Sequence, residues 1–329
     1  MSVLVTGGCG YIGSHMVHEL ADAGRDVVVL DNLTTGFKWA MPPQAKLVIG
    51  DIGDMDLAQI IIARHKVTAI IHFAGSIVVP ESVSDPLGYY LNNTVKSRAL
   101  MAAAVKSGVK QFIFSSTAAV YGMAKDMPVR ETTTLEPMSP YGSSKLMTEL
   151  MLRDTSLAHD FRYVALRYFN VAGADPKGRT GQSTKGATHL IKVACETALA
   201  KRAGMDVFGT DYETPDGTCV RDYIHVKDLA RAHMAALAHL EGGGTSEIFN
   251  CGYGKGYSVL EVIEAVRRVS KRPVAAKLGP RRPGDPAMIV ASSDKIRSQL
   301  GWQPAHDNLD LIVEHALAWE VHLAKRNAG

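Results

Sequence analysis

The sequence predicts an α/β protein whose main layer is a doubly wound parallel sheet, with a smaller C-terminal α/β lobe. Three observations lead there. Short β-branched runs alternate with longer helix-like stretches, the runs are apolar on both faces, and a glycine-rich turn joins the first run to the first helix-like stretch. Such alternation reads as parallel strands joined by crossover helices. Strands are expected at 2–6, 27–31, 46–50, 69–74 and 111–115. Within them VVVL, AIIHF and FIF lack polar alternation, as expected when helices cover both sides of a sheet. Beyond about residue 170 the pattern loosens, and the Gly, Pro and Asp-rich stretches 173–186, 209–218, 242–256 and 279–287 read as loops around a cleft. Residues 1–169 are assigned to the sheet domain and 170–329 mainly to the second lobe, with some segments returning to the sheet.

With 329 residues, 46% hydrophobic and 21% charged, the chain has ample apolar surface for a large core. The formal charge is +3, but no run of Lys and Arg could track a phosphate backbone, so no nucleic acid is expected as partner. Cys9, Cys195, Cys219 and Cys251 are scattered without a CxxC pair, which argues against disulfides and a zinc knuckle and for a reducing, cytoplasmic setting. No apolar run approaches the roughly 18 residues of a membrane helix, and Ser2 to Val5 carry no basic leader, so neither membrane nor secretion is expected.

Residues 6–13 read Thr6-Gly7-Gly8-Cys9-Gly10-Tyr11-Ile12-Gly13, directly before an amphipathic stretch with Met16, Val17 and Leu20. Gly8, Gly10 and Gly13 satisfy GxGxxG, while Gly7, Gly10 and Gly13 satisfy GxxGxxG. Glycines here permit a tight turn and let the backbone approach a pyrophosphate at a helix N-terminus, whose free N–H groups attract anions. A turn of no special use is the alternative, and the next strand decides between them. It ends in Val29-Leu30-Asp31, an acid about twenty residues downstream that can accept from adenosine ribose hydroxyls and would repel a 2′-phosphate. NAD is therefore expected in a Rossmann-type site, with Tyr11, Ile12 and Asn32 beside it. Gly50-Asp51-Ile52 and Phe73-Ala74-Gly75 follow the next strands where strand ends face that cleft. Asp51 is either a cofactor contact or the N-cap of a helix over 54–64.

Ser139-Pro140-Tyr141-Gly142-Ser143-Ser144-Lys145 combines an N-cap, a first-turn proline, and Tyr and Lys four residues apart on one helix face. Upstream, Phe112-Ile113-Phe114 runs into Ser115-Ser116-Thr117, whose hydroxyls are expected to project toward the same cleft. A free tyrosine titrates near pH ~10, so about one in a thousand is ionised at neutrality. A neighbouring Lys145 ammonium and a positive nicotinamide would favour the phenolate, making Tyr141 a base for hydride chemistry at a carbinol. The alternative is an exposed helix start.

TGGCGYIGSH, LDNL, GDI, HFAG, FSSTAAVYG, SPYGSSK, LRYFNVAGA, DGTCVRDYIHV and RRPGD, spread over residues 6–285, resemble the UDP-galactose (UDP-glucose) 4-epimerases of the extended short-chain dehydrogenase/reductase family. The resemblance implies reversible epimerisation of a UDP-sugar at C4 through a 4-keto sugar. It implies Tyr141 as base, Lys145 as its helper and ligand to the nicotinamide ribose, and Thr117 bonding the sugar O4. Bound NAD would also meet Asn92, Ser115 and Tyr168. On the substrate side Asn170 and Arg221 would meet the UDP diphosphate, His189 and Leu190 the phosphate or sugar, Phe208 the uracil, and Arg282 with Asp285 phosphate and ribose. A diphosphate needs cationic, often bidentate donors, and no divalent-metal cluster or HExxH is apparent, so no metal is expected. Each arginine could instead make a surface salt bridge, with Asp222 or Asp228 as partner or turn residue.

Several positions depart from the family pattern. Ile77 stands where a Lys often contacts the cofactor, His189 follows Thr188 where many members have Asn-Asn-Leu, Lys192 replaces a frequent proline, and Ile289 aligns with a gate whose size affects N-acetylated sugars. These leave N-acetylhexosamine, pentose and uronate substrates open beside glucose and galactose. A 4,6-dehydratase would carry Asp-Glu after the strand-end Thr, where this chain has Thr117-Ala118-Ala119-Val120, and a non-catalytic NAD sensor commonly lacks the Tyr/Lys pair. The stretches 86–107 and 140–160 read as long helices, for which the resemblance implies a four-helix homodimer contact.

Overall fold

The computed structural model describes residues 2–282 and 284–328. In the first half come β1 (Ser2–Thr6), α1 (Tyr11–Asp22), β2 (Asp26–Asp31), β3 (Lys46–Ile49), α2 (Met55–His65), β4 (Val67–His72), α3 (Val79–Ser84) and α4 (Pro86–Tyr89). A π-helical stretch over Tyr90–Val95 leads into α5 (Lys96–Lys106), then β5 (Gln111–Thr117), α6 (Pro140–Ala158) and β6 (Arg162–Tyr168). The second half holds β7 (Asn170–Ala172), α7 (Leu190–Ala198), β8 (Met205–Phe208), β9 (Val220–His225), α8 (Val226–Glu241), β10 (Glu247–Cys251) and β11 (Gly256–Ser258). It closes with α9 (Val259–Ser270), β12 (Ala276–Gly279), β13 (Met288–Ile289), α10 (Asp294–Leu300) and α11 (Leu309–Ala328).

The main sheet has seven strands in the order β3-β2-β1-β4-β5-β6-β10, all parallel. Its central strands are covered on both sides because successive side chains leave a strand on opposite faces. Val3, Val5, Val27, Val29, Ile71 and Ile113 enter one buried cluster with α1 and α8. Leu4, Val28, Leu30, Ile70, Phe112 and Phe114 enter another with α2 and α5. The first cluster continues without a break into the second lobe through Val171, Ile191, Tyr223, Ile263 and Ile312. That lobe is built on β11-β9-β13, with β7 also pairing β9, and on the separate pair β12-β8.

The five expected strands are present with ends shifted by a few residues; β5, for instance, runs on to Thr117. β6 and β10, which complete the sheet, were not expected as strands. β10 lies inside the expected loop 242–256, because EIFNC is a five-residue run flanked by glycine-rich turns whose β character comes from pairing with β6. Helix α2 is capped by Asp54, which accepts from the Leu57 N–H, so the N-cap reading of Asp51 is corrected. Strand order reverses between β1 and β4, and open α/β sheets bind ligands in the crevice at such a switch point, beyond the carboxyl ends of the strands.

Three histidines are sealed beneath this crevice. His72 bridges the hydroxyls of Thr6 (2.7 Å) and Ser97 (2.8 Å), and His15 and His233 each face a carbonyl of their own helix. Burial pushes His15 and His233 down to about 4 and His72 down to about 3. The unfolded chain takes up these protons from about pH 6.5 downward while the folded chain does not until about pH 4, so stability is lost as pH falls through that window. Each group contributes roughly 1.4 kcal/mol per pH unit within it. Thermal unfolding followed by circular dichroism should show a melting temperature several degrees lower at pH 5 than at pH 7; equal values at both would contradict neutral burial of the three rings.

Candidate active site

The glycine turn is a cradle with no room for side chains. Gly7 has φ +68° and a Cβ there would lie 2.7 Å from the Ala74 nitrogen; a Cβ on Gly13 would lie 2.1 Å from the Gly7 oxygen. Gly10 is the N-cap of α1 and has no side chain to satisfy the first turn, which leaves helix N–H groups for an anion. Asp31 is 6% exposed and accepts from Cys9 N (2.9 Å) on one oxygen and Leu33 N (2.8 Å) on the other. Each oxygen keeps a second lone pair, so the acid ties the loop to β2 and retains capacity for ribose hydroxyls. Asn32 is exposed and accepts from Thr34. These groups fit a dinucleotide: helix N–H groups at the glycine turn for phosphate and, tied to the same turn through Cys9 N, an acid for ribose hydroxyls.

The other residues expected near the cofactor divide. Phe73, Ala74 and Gly75 follow β4 and abut the cradle, and the Tyr11 hydroxyl donates to the Gly173 carbonyl (2.7 Å), tying the turn to the second lobe. Ile12 packs against the core and Ile52 is buried in it, so Ile52 can meet a cofactor only through its backbone. Asp51 accepts from Gly53 N and pairs with Lys96. Asn92 donates to the Ser76 hydroxyl, while its neighbour Asn93 is buried and holds Ser76 and Ser144.

Helix α6 starts as its sequence dictates: Ser139 accepts from Gly142 N (3.2 Å) and Pro140 occupies the first turn. Tyr141 is 7% exposed, and its phenol lies near the Thr117 hydroxyl at the end of β5, which itself accepts from Ala119 N (3.1 Å). Lys145, 3% exposed, donates to the Ser115 carbonyl (3.0 Å) and lies 4.8 Å over the Phe114 ring. A Cβ on Gly75 would be 3.6 Å from the Lys145 nitrogen, so the ammonium sits beside the strand end that adjoins the cradle. Burial lowers Lys145 to about 8, opposed by the Glu149 carboxylate. Burial raises the Tyr141 phenol, and the neighbouring Thr117 hydroxyl draws it down less than burial raises it. The protein groups alone therefore do not acidify Tyr141 as expected, because desolvation of the phenolate outweighs them.

Ser115 and Thr117 face one way from β5 and Ser116 the other, as strand geometry requires. The expectation for Ser116 is thus corrected: its hydroxyl donates to buried Glu149, which also binds Arg167 (2.6 Å). The Ser115 hydroxyl faces His233 (3.3 Å) and lies near Tyr168. Sequence reasoning missed Glu149, Arg167 and His233; the spacing 141, 145, 149 on one helix face was the available signal for the first.

Of the residues expected on the substrate side, Asn170, His189 and Leu190 line one cleft, together with Tyr11, Gly173 and Gln182. His189 is the N-cap of α7 without capping it through its side chain. Tyr141 and Lys145 lie outside this lining. Farther along, the Arg282 guanidinium stacks 3.6 Å over the Phe208 ring, and Arg221 faces Asp285 at 3.7 Å. Four expected nucleotide-side residues therefore pair among themselves. Asp222 is no arginine partner: it accepts from the N–H groups of Tyr253 (2.9 Å), Gly254 (2.9 Å) and Ala291 (3.2 Å), and Asp228 takes His306 and Tyr253.

Residues 3–252 match the model of the NAD dependent epimerase/dehydratase family. The chain is 58% identical over 318 residues to the UDP-glucose 4-epimerase of Azospirillum brasilense, covering 97% of this chain and 91% of that one. It superposes with a TM-score of 0.94 on UDP-glucose 4-epimerase from Brucella ovis in complex with NAD, at 42% identity and with 96% and 97% of the two chains covered. Against UDP-glucose 4-epimerase from Bifidobacterium longum in complex with NAD+ and UDP, the TM-score is 0.93 at 38% identity, covering 98% of each chain. With this cradle, this Tyr/Lys helix and likeness over nearly its whole length, the chain belongs to the NAD dependent epimerase/dehydratase family, in its UDP-glucose 4-epimerase group.

Proposed function

We propose that the chain interconverts UDP-glucose and UDP-galactose by NAD-dependent epimerisation at C4. The observation that carries this reading is a buried tyrosine, near the Thr117 hydroxyl, on the helix face that also places the Lys145 ammonium beside Gly75. Tyr141 takes the proton of the sugar O4 and returns it after the face of C4 has changed. Thr117 holds the phenolic oxygen and the sugar oxygen in line. Lys145, fixed by the Ser115 carbonyl, keeps a positive charge within the dry site and holds the nicotinamide ribose. NAD bound in the cradle supplies the acceptor and donor of the C4 hydride and, when oxidised, the positive charge that lowers the phenol's pKa. The 4-keto sugar must turn over while UDP stays fixed, so cations and the Phe208 platform belong at the nucleotide end. Elimination is disfavoured: Ala118 and Ala119 open the 3-10 turn after Thr117, where an acid and a base would be required.

Residues 1–169 then form the NAD-binding domain and 170–329 mainly the UDP-sugar domain, with β10 returned to the sheet. No helix among the described residues is long and apolar enough to cross a membrane, and a cytoplasmic setting suits four cysteines that are free and buried. The working unit is a homodimer. Leu87 (77% exposed), Leu91 and Val95 recur every four residues along one helical face, and the adjoining α6 exposes Met147, Leu150 and Leu157 (82%). Apolar rows of this kind on neighbouring helices suit a four-helix contact with a second copy.

Purified protein incubated with UDP-galactose should yield UDP-glucose by nucleotide-sugar chromatography; conversion of none among UDP-hexoses, their N-acetylated forms and UDP-pentoses overturns the reading. Tyr141→Phe should keep bound NAD and UDP affinity while kcat drops by about 10² to 10⁴-fold. Turnover near wild type would remove Tyr141 as the base. Light scattering after gel filtration should give twice the chain mass, and a Leu91→Asp/Leu150→Asp variant should give the chain mass with an unchanged circular dichroism spectrum; a monomeric wild type refutes the dimer.

A further inference from the structure

His189 and Lys192, two of the departures from the family pattern, form one unit with Gln182 and Glu320. The Thr184 N–H donates to Gln182 Oε1 (3.3 Å), which fixes the orientation of the carboxamide. Its nitrogen therefore lies toward His189 Nδ1, also at 3.3 Å. A carboxamide nitrogen can only donate, so Nδ1 accepts and the proton of the neutral imidazole resides on Nε2. His189 Nε2 has no hydrogen-bond partner among the described residues, and the side chain lines the cleft beside Asn170 and Leu190. Burial and the nearby Lys192 charge both push the imidazole below its ordinary value, which keeps it neutral.

The strap bearing Gln182 is itself pinned. Lys192, 6% exposed, donates to the Gln182 carbonyl (3.0 Å) and pairs with Glu320, 3% exposed, which also takes Lys201 (2.8 Å). A buried ion pair with every partner in place is costly to disturb, so the C-terminal helix α11 holds the strap at α7. We propose that Gln182, anchored by the Lys192–Glu320 pair, is a positioning residue that sets the His189 tautomer and aims a neutral Nε2–H donor at the diphosphate of the bound nucleotide. A neutral donor adds one directional hydrogen bond to the cations at the nucleotide end and so helps keep the diphosphate fixed while the sugar turns over. The inference rests on the UDP-sugar reading of the cleft.

Calorimetric titration of the NAD-loaded protein with UDP and with uridine tests it. Gln182→Leu should weaken UDP about tenfold, leave uridine affinity unchanged, and raise KM for UDP-galactose while kcat stays within about twofold. In a His189→Ala background, Gln182→Leu should have no further effect on UDP, because the two residues act through one contact. Lys192→Met, which frees the strap from α11, should give a smaller loss of the same selectivity. The proposal is overturned if Gln182→Leu binds UDP as wild type does, if it weakens UDP equally in the His189→Ala background, or if it weakens uridine by the same factor. A wild-type protein that binds neither UDP nor uridine removes the UDP-sugar reading and this inference with it; tight UDP binding indifferent to Gln182 removes the inference alone.

Discussion

Helix α6 is fastened to the sheet by buried charge, and the placement of Tyr141 and Lys145 depends on that fastening. Arg167 from β6 grips both oxygens of Glu149, Ser116 of β5 adds a hydroxyl, and Tyr121 closes the guanidinium. Four residues earlier on the same helix Lys145 donates to the β5 backbone, and four residues before that Tyr141 meets Thr117. Removing one member of such a network leaves a charge unpaired in a dry interior, so the helix has little freedom to shift along the strands. The Tyr141 hydroxyl is thereby held in place against the end of β5.

The same dryness creates the site's electrostatic problem. Burial disfavours both the ammonium of Lys145 and the phenolate of Tyr141, and the protein offsets the first with Glu149 and the second with Thr117. What remains is left to the positive charge of an oxidised nicotinamide, which would favour the phenolate in the state that is ready to accept hydride. The cradle that would hold this cofactor is shaped by contact distances that exclude a Cβ at Gly7 and Gly13, so its form follows from residue type and from the closeness of β1, α1 and the end of β4.

The second lobe is no independent body, since the apolar cluster under α1 and α8 runs directly into it. Tyr11 reaches across to Gly173, and the strap beyond Gly173 carries Gln182 toward His189. The glycine turn and the His189 end of the cleft are thus joined through the Tyr11 side chain on the Gly173 carbonyl and the Gln182 and His189 side chains, contacts that few of these residues' types would suggest.

The parallel sheet, the cradle, Asp31 and the Tyr141/Lys145 pair are legible in the residues alone, because each rests on local geometry: strand periodicity, glycine's freedom, and the four-residue repeat of a helix. So is the family, through strings spread from residue 6 to 285. That EIFNC is a strand, that Ser116 turns away from the cleft, that Glu149 and Arg167 lie behind the helix, and that Gln182 and Glu320 stand behind His189 follow from the folded arrangement. These contacts join residues far apart in the chain, and a side chain's role there depends on which partner the fold brings within hydrogen-bond reach, a property that neither residue carries alone.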